Sequence, residues 1–86
     1  MNLDNRILAL IAVGASVSAN CQPCLERNVR TARGCGADAQ QIAEAIEIGR
    51  KVRQGAAAKM DRFIPDLDKT FPAFMEAVET GCGARE

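Results

Sequence analysis

The run Ala19-Asn20-Cys21-Gln22-Pro23-Cys24-Leu25-Glu26-Arg27-Asn28 decides how the rest of the chain is read. Two cysteines three positions apart, with a proline between them, open a helix. One helical turn brings residues i and i+3 to one face, so both thiols come within disulfide reach. Cys21 falls in the first turn, where unpaired backbone N–H groups and the positive end of the macrodipole favour a thiolate. Thiols in such settings have pKa values lowered from about 8.5 to roughly 3.5–7.5, which makes them nucleophilic at neutral pH. Pro23 fits because a helix start tolerates a residue with no N–H to give.

Before this run, residues 4–18 read as a first helix, with Leu3, Ile7, Leu10, Ile11 and Gly14 along one buried face. Arg6, the apolar run from Ile7 to Ala15 and the small residues up to Ala19 also resemble a cleaved secretory signal over residues 1–19. Asp4 speaks against that, since it stands where a signal carries only basic residues. The apolar run is too short to span a membrane.

After the cysteines, the second helix runs to about Arg33 and stops at Gly34-Cys35-Gly36, glycine being the residue that accepts the left-handed turn past a helix end. Asp38 is an N-cap with Gln41 in capping-box position. A long helical stripe follows through Ile42, Ala45, Ile46, Gly49, Val52, Ala56, Met60 and Phe63. Glu47 and Lys51 form an i,i+4 pair in the favourable order. Gly49 and Gly55 each cost roughly 1 kcal/mol of helix propensity against alanine, which points to close approach of another helix, including one from another subunit. Pro65 disfavours helical geometry in the residue before it, so this helix is expected to end near Ile64 and Asp66–Thr70 to form a turn. Phe71, Phe74, Met75 and Val78 mark a short C-terminal helix over about 69–80. No strand-like alternation occurs. The prediction is an all-α fold of about four helices in a single domain, 1–86.

Composition narrows the function. The chain has 86 residues, is 48% hydrophobic, and carries three Phe but no Trp or Tyr. Its apolar content is mostly alanine and aliphatic residues, so helices are expected to pack closely, and so small a core favours a homo-oligomer. Eleven basic and eleven acidic residues balance to zero. No basic stripe or stacking aromatics serve nucleic acid. Arg27, Arg30 and Arg33 recur at helical spacing, as expected of a solvated helix face. The chain has no histidine, which removes the commonest general base and metal ligand.

Four cysteines admit three readings. Cys21 and Cys24 have the spacing and helix position of a dithiol redox centre, although the strand that precedes such a motif in thioredoxin is missing. Cys21, Cys24, Cys35 and Cys82 supply four potential zinc ligands, but the second pair lacks the x-x spacing and its members lie in separate regions. Buried cysteines can also be plain core residues, a reading that suits Cys35 and Cys82 better than the motif pair.

The run from Ala12 to Glu26, AVGASVSANCQPCLE, resembles the signature of the alkylhydroperoxidase D-like proteins of the carboxymuconolactone decarboxylase superfamily. Gly36-Ala37-Asp38, Ile42 to Ile46, Arg50 and on to Ala58 resemble the following helix of that family. The likeness covers about residues 5–65. It implies a helical subunit assembled as a trimer or hexamer, with Cys21 and Cys24 as catalytic residues and no cofactor. It also implies a thiol–disulfide oxidoreductase or peroxide-reducing antioxidant, working with a thiol or disulfide electron-transfer partner or a peroxide in the cytoplasm. One cysteine attacks the peroxide, becomes a sulfenic acid and is resolved to a disulfide by the other. The family's usage makes Cys24 the attacking thiol, whereas the helix-dipole argument favours Cys21. The family's relay histidine falls on Asn28 and its relay glutamate on Ala9, and asparagine cannot take up a proton at neutral pH. Glu26 is a titratable neighbour, though on a helix it points away from the face of Cys21, Cys24 and Asn28. The alternative reading is a catalytically weakened helical oligomer that serves as a binding or scaffold module. The superfamily's decarboxylase branch lacks this dithiol, so its activity is not carried over.

Overall fold

The computed structural model describes the backbone of residues 2–70 and the side chains of residues 2–67. These form three α-helices, α1 (Asn5–Ser18), α2 (Gln22–Gly34) and α3 (Ala39–Thr70), and no strand among the described residues. The all-α expectation holds. Phe71, Phe74, Met75, Val78 and Cys82, and with them most of the expected C-terminal helix, lie outside the described residues. Met1–Gly55 is one compact unit, and a second begins at Ala56.

Local chemistry sets most of the boundaries. Asp4 caps α1, its carboxylate accepting the Ile7 N–H at 2.9 Å. At the other end Asn20 turns left-handed, with φ of 58°. There the Asn20 N–H donates to Val17 O at 3.1 Å and the Cys21 N–H to Ser16 O at 3.1 Å. This is a Schellman closure, with asparagine in the position glycine usually fills. The same closure ends α2. Gly36, at φ of 95°, donates to Arg33 O at 3.1 Å and Ala37 to Ala32 O at 2.9 Å. Ala32 and Ala37, the apolar pair that accompanies such a closure, are both buried in the core. The capping box of α3 forms as expected. The Gln41 N–H donates to the Asp38 carboxylate at 2.8 Å, and Gln41 Oε1 accepts the Asp38 N–H at 3.1 Å.

The core is built from small side chains. Ala9, Val13, Ala32, Ala37 and Ile42 are buried, with Leu10, Leu25, Val29, Ala45 and Ile46 packed against them. The face expected for α1 holds at Leu10, which packs against the core, and at Gly14, which meets α3, and is corrected elsewhere. Leu3, Ile7 and Ile11 are exposed, and the helix instead buries Ala9, Val13, Ser16 and Val17. α1 crosses α3 where Gly14 and Gly49 meet. A Cβ built on Gly49 would collide with Gly14 O and lie 2.9 Å from Val17 Cβ. A Cβ on Gly14 would lie 3.0 Å from Ala45 O. The Ser18 hydroxyl joins the helices there, donating to Gly49 O at 3.0 Å. Backbones this close leave room only for small residues at the crossing, and Ile7 and Ile11, on the same side of α1 as Gly14 but nearer its N-terminus, are exposed.

The close approach expected at the glycines of α3 occurs at Gly49, within the chain, and in the single chain nothing lies within 4 Å of a Cβ on Gly55. Two other expectations for α3 are corrected. Glu47 pairs with Arg50 at 3.6 Å rather than with Lys51, an i,i+3 contact open to the same carboxylate on an exposed turn. Finally, α3 runs through Pro65 to Thr70 instead of ending near Ile64, and Asp66–Thr70 is helix, not turn. Proline deprives the carbonyl of Asp61 of its N–H partner, but Asp61 and Pro65 are both exposed, so water can serve it.

Candidate functional site

The Schellman closure of α1 delivers Cys21 to the N-cap of α2, and Pro23 occupies the first turn. The Cys21 side chain makes no capping hydrogen bond. It is bonded instead to Cys24 across a Cα–Cα distance of 5.2 Å, within the usual disulfide range. Both cysteines are half-buried. The helix thus begins with a disulfide over its unpaired N–H groups.

A cavity of about 170 Å³ lies against this start. α1 contributes Ser16 and Val17, the joint contributes Asn20 and Cys21, and the first turn of α2 contributes Gln22 and Leu25. Arg53 closes it from α3. Its Nη1 donates to Asn20 Oδ1 at 3.1 Å and to Val17 O at 3.4 Å. Arg53, Ser16 and Asn20 are residues that the sequence reading did not assign to the site. A signal for Arg53 was present: it continues the face of Ile42, Ile46 and Gly49 at helical spacing, a charge on the apolar stripe.

Asn28 is one helix turn beyond Cys24, and its amide donates to Ser16 Oγ at 2.8 Å and to Ala12 O at 3.4 Å. Buried Ser16 in turn donates to Ala12 O at 2.7 Å. Asn28 therefore ties α2 to α1 and holds a residue of the cavity wall. Glu26 is exposed and pairs with Arg30 at 3.4 Å, away from the cavity lining. Arg27, Arg30 and Arg33 are all exposed, as a solvated face requires. Cys35, the C-cap of α2, is an exposed free thiol. Among the described residues no three His, Cys, Asp or Glu side chains gather as a metal site, and Cys82 lies outside them. No helix of the described residues is long and apolar enough to cross a membrane.

Residues 2–62 match the carboxymuconolactone decarboxylase family. The chain belongs to that family. The match encloses the whole alkylhydroperoxidase D-like run from Ala12 to Glu26, and so the disulfide, the Asn28 tie and Arg53. An uncharacterized protein 4 in the cox locus of Paracoccus denitrificans is 44% identical over 68 residues. That alignment takes in 78% of this chain and 61% of the relative. No solved structure gives a significant match. Of the two positions at which the resemblance would place relay groups, Ala9 is buried in the core and Asn28 donates to Ser16 and Ala12.

Proposed function

We propose that this chain is a thiol–disulfide oxidoreductase that cycles Cys21 and Cys24 between dithiol and disulfide in the cytoplasm. The observation that carries the reading is the Cys21–Cys24 bond at the start of α2, with Cys21 on the wall of a cavity. In the reducing direction one thiolate attacks a substrate disulfide, forming a mixed disulfide and expelling one substrate thiolate. The partner thiolate then attacks the protein sulfur of that adduct, closes the Cys21–Cys24 bond and releases the second substrate thiolate. Two electrons pass from protein to substrate. Exchange of this kind needs an accessible thiolate and a good leaving group, not a proton relay. Peroxide reduction is the slower branch of the same chemistry here, because neither Asn28 nor Ala9 can deliver the proton that the leaving alkoxide requires.

Cys21→Ser and Cys24→Ser are each expected to abolish turnover in a disulfide-reductase assay, and Cys35→Ser and Cys82→Ser to leave it intact. Full turnover by either motif variant would defeat the proposal. The structural duties of Ala9 and Asn28 favour a second reading, a helical scaffold that has kept the fold without the enzyme. No rate above that of free dithiol, with disulfides or with peroxides, would establish it.

The functional unit is proposed to be a homo-oligomer, a trimer or hexamer. Ile7 and Ile11 on α1, and Ile48 and Val52 on α3, repeat at i,i+4 and are 36%, 55%, 59% and 58% exposed in the single chain. Apolar side chains grouped on a helix face, rather than scattered singly, mark an association surface. Sedimentation at micromolar concentration is expected to give a multiple of the 9.2 kDa chain mass, and a monomer would overturn the assignment.

A further inference from the structure

We infer that the cavity beside the disulfide takes small disulfides and thiols that carry a carboxylate, with Arg53 holding the carboxylate and Cys21 Sγ exchanging with the substrate sulfur. This rests on the oxidoreductase reading above and adds to it a substrate class and a direction of attack.

The charge of the cavity carries the first half. Arg53 is its one ionisable lining residue while the disulfide is closed. Both acceptors of Arg53, Asn20 Oδ1 and Val17 O, are uncharged, and both take their bond from Nη1. The ion pairs among the described residues join Arg30 to Glu26 and Arg50 to Glu47, so no described carboxylate answers Arg53. A guanidinium presents five N–H donors in a planar fork suited to a carboxylate. Nε and Nη2 of Arg53 donate to nothing among the described residues. The helix start adds to the same sign. α2 has no acidic residue in its first turn, and Gln22 and Cys24 have backbone N–H groups with no partner among the described residues. The volume of about 170 Å³ is below the roughly 300–1,000 Å³ of sites for drug-sized ligands, so a small thiol acid fits the space better than a peptide.

The lining carries the second half. Cys21 is part of the cavity wall and Cys24 is not. A thiolate RS⁻ arriving through the cavity therefore attacks Cys21 Sγ. The RS–Cys21 bond forms, the Cys21–Cys24 bond breaks, and Cys24 leaves as a thiolate in the first turn of α2, where the helix end favours negative charge. A second RS⁻ attacks the R sulfur of the adduct, RSSR departs, and Cys21 is left as a thiolate. Two thiolates have become one disulfide, and the protein disulfide has gained two electrons. The reverse sequence starts with Cys21 attacking a substrate disulfide.

The test uses the full chain carrying Cys35→Ser and Cys82→Ser, with Cys24→Ser added so that an adduct on Cys21 is trapped. Its rate of adduct formation is followed by intact mass with the disulfides of mercaptopropionate (anionic), mercaptoethanol (neutral) and cysteamine (cationic). Each rate is divided by that of the same disulfide with a free small thiol. The expected order is anionic above neutral above cationic, with the anionic-to-neutral ratio about tenfold at low salt, as suits one half-exposed charge-assisted contact. Arg53→Gln should bring that ratio close to one and Arg53→Lys should keep most of it. Added salt should erode it without any mutation, which keeps the test sound if a variant folds poorly. Equal normalised rates, a preference that survives Arg53→Gln, or faster trapping on Cys24 in the matching Cys21→Ser variant would each overturn the inference while leaving the oxidoreductase intact. A pair that exchanges with none of the three disulfides would bring down both.

Discussion

Gly49 and Gly55 lie in one helix, yet a methyl group built on the first collides with the backbone of α1 and one built on the second meets nothing within 4 Å. Their neighbourhoods differ in the same way. Around Gly49, the residues at the crossing are Gly14, Ser18 and Ala45, and the Ser18 hydroxyl bonds across to Gly49 O. Beyond Gly55, every side chain from Ala56 to Asp66 is exposed, including Met60, Phe63 and Ile64. A glycine in a helix thus signals close packing where the facing helix is also small at the crossing. On its own it signals only a weak helix former.

That contrast predicts the largest effect. Gly49→Ala must move α1 and α3 apart, because the first obstacle is backbone that no rotamer change relieves. Such overpacking costs up to about 3 kcal/mol, and alanine's better helix propensity offsets about 1 of it, so a net loss near 2 kcal/mol is expected in denaturant unfolding. Arg53 sits one turn further along α3, so the same variant should blunt the cavity's charge preference. A thermal midpoint within a degree or two of the wild type would show that the crossing is looser than its geometry.

How far the sequence was legible follows from how far apart the interacting groups lie. The capping box of Asp38 and Gln41, the stop at Gly36 and the joining of the cysteine pair to a helix start were readable, because each is an interaction over a few residues. The buried face of α1 was not. That helix is apolar nearly all round, so periodicity could not choose between Ile7 with Ile11 and Ala9 with Val13. The choice is made by the core partners of Ala9 and Val13, namely Ala32, Ala37 and Ile42, which lie far along the chain. Arg53 was missed for the same reason, since its partners Val17 and Asn20 come from the other end of the unit. Pro65 erred in the opposite sense: a local bias was read as a boundary, and an exposed helix carried through it.

The tie between α1 and α2 should be worth less than the crossing. Asn28→Ala removes the donor to Ser16 but leaves the Ser16 hydroxyl bonded to Ala12 O, so it should cost about 1 kcal/mol. Ser16→Ala leaves the Asn28 amide only the 3.4 Å contact to Ala12 O and should cost slightly more, about 1–1.5 kcal/mol. The double variant is expected to fall short of the sum by roughly 0.5–1 kcal/mol, the coupling of two groups in contact. Strict additivity would mean that the two residues do not act as a pair.

Gly55→Ala carries the smallest effect and the opposite sign. With open space around the added methyl group, only helix propensity changes, and stability should rise by about 0.5–1 kcal/mol. The measurement is sharpest when unfolding and sedimentation are run together. A gain in stability at unchanged assembly mass means that position 55 faces solvent in the oligomer as it does in the single chain. A loss of stability together with a loss of mass would mean that the backbone of a second copy occupies the space, and Gly55 would then do between subunits what Gly49 does within one. The sign of one methyl group therefore separates a glycine that weakens the helix from a glycine that admits a partner.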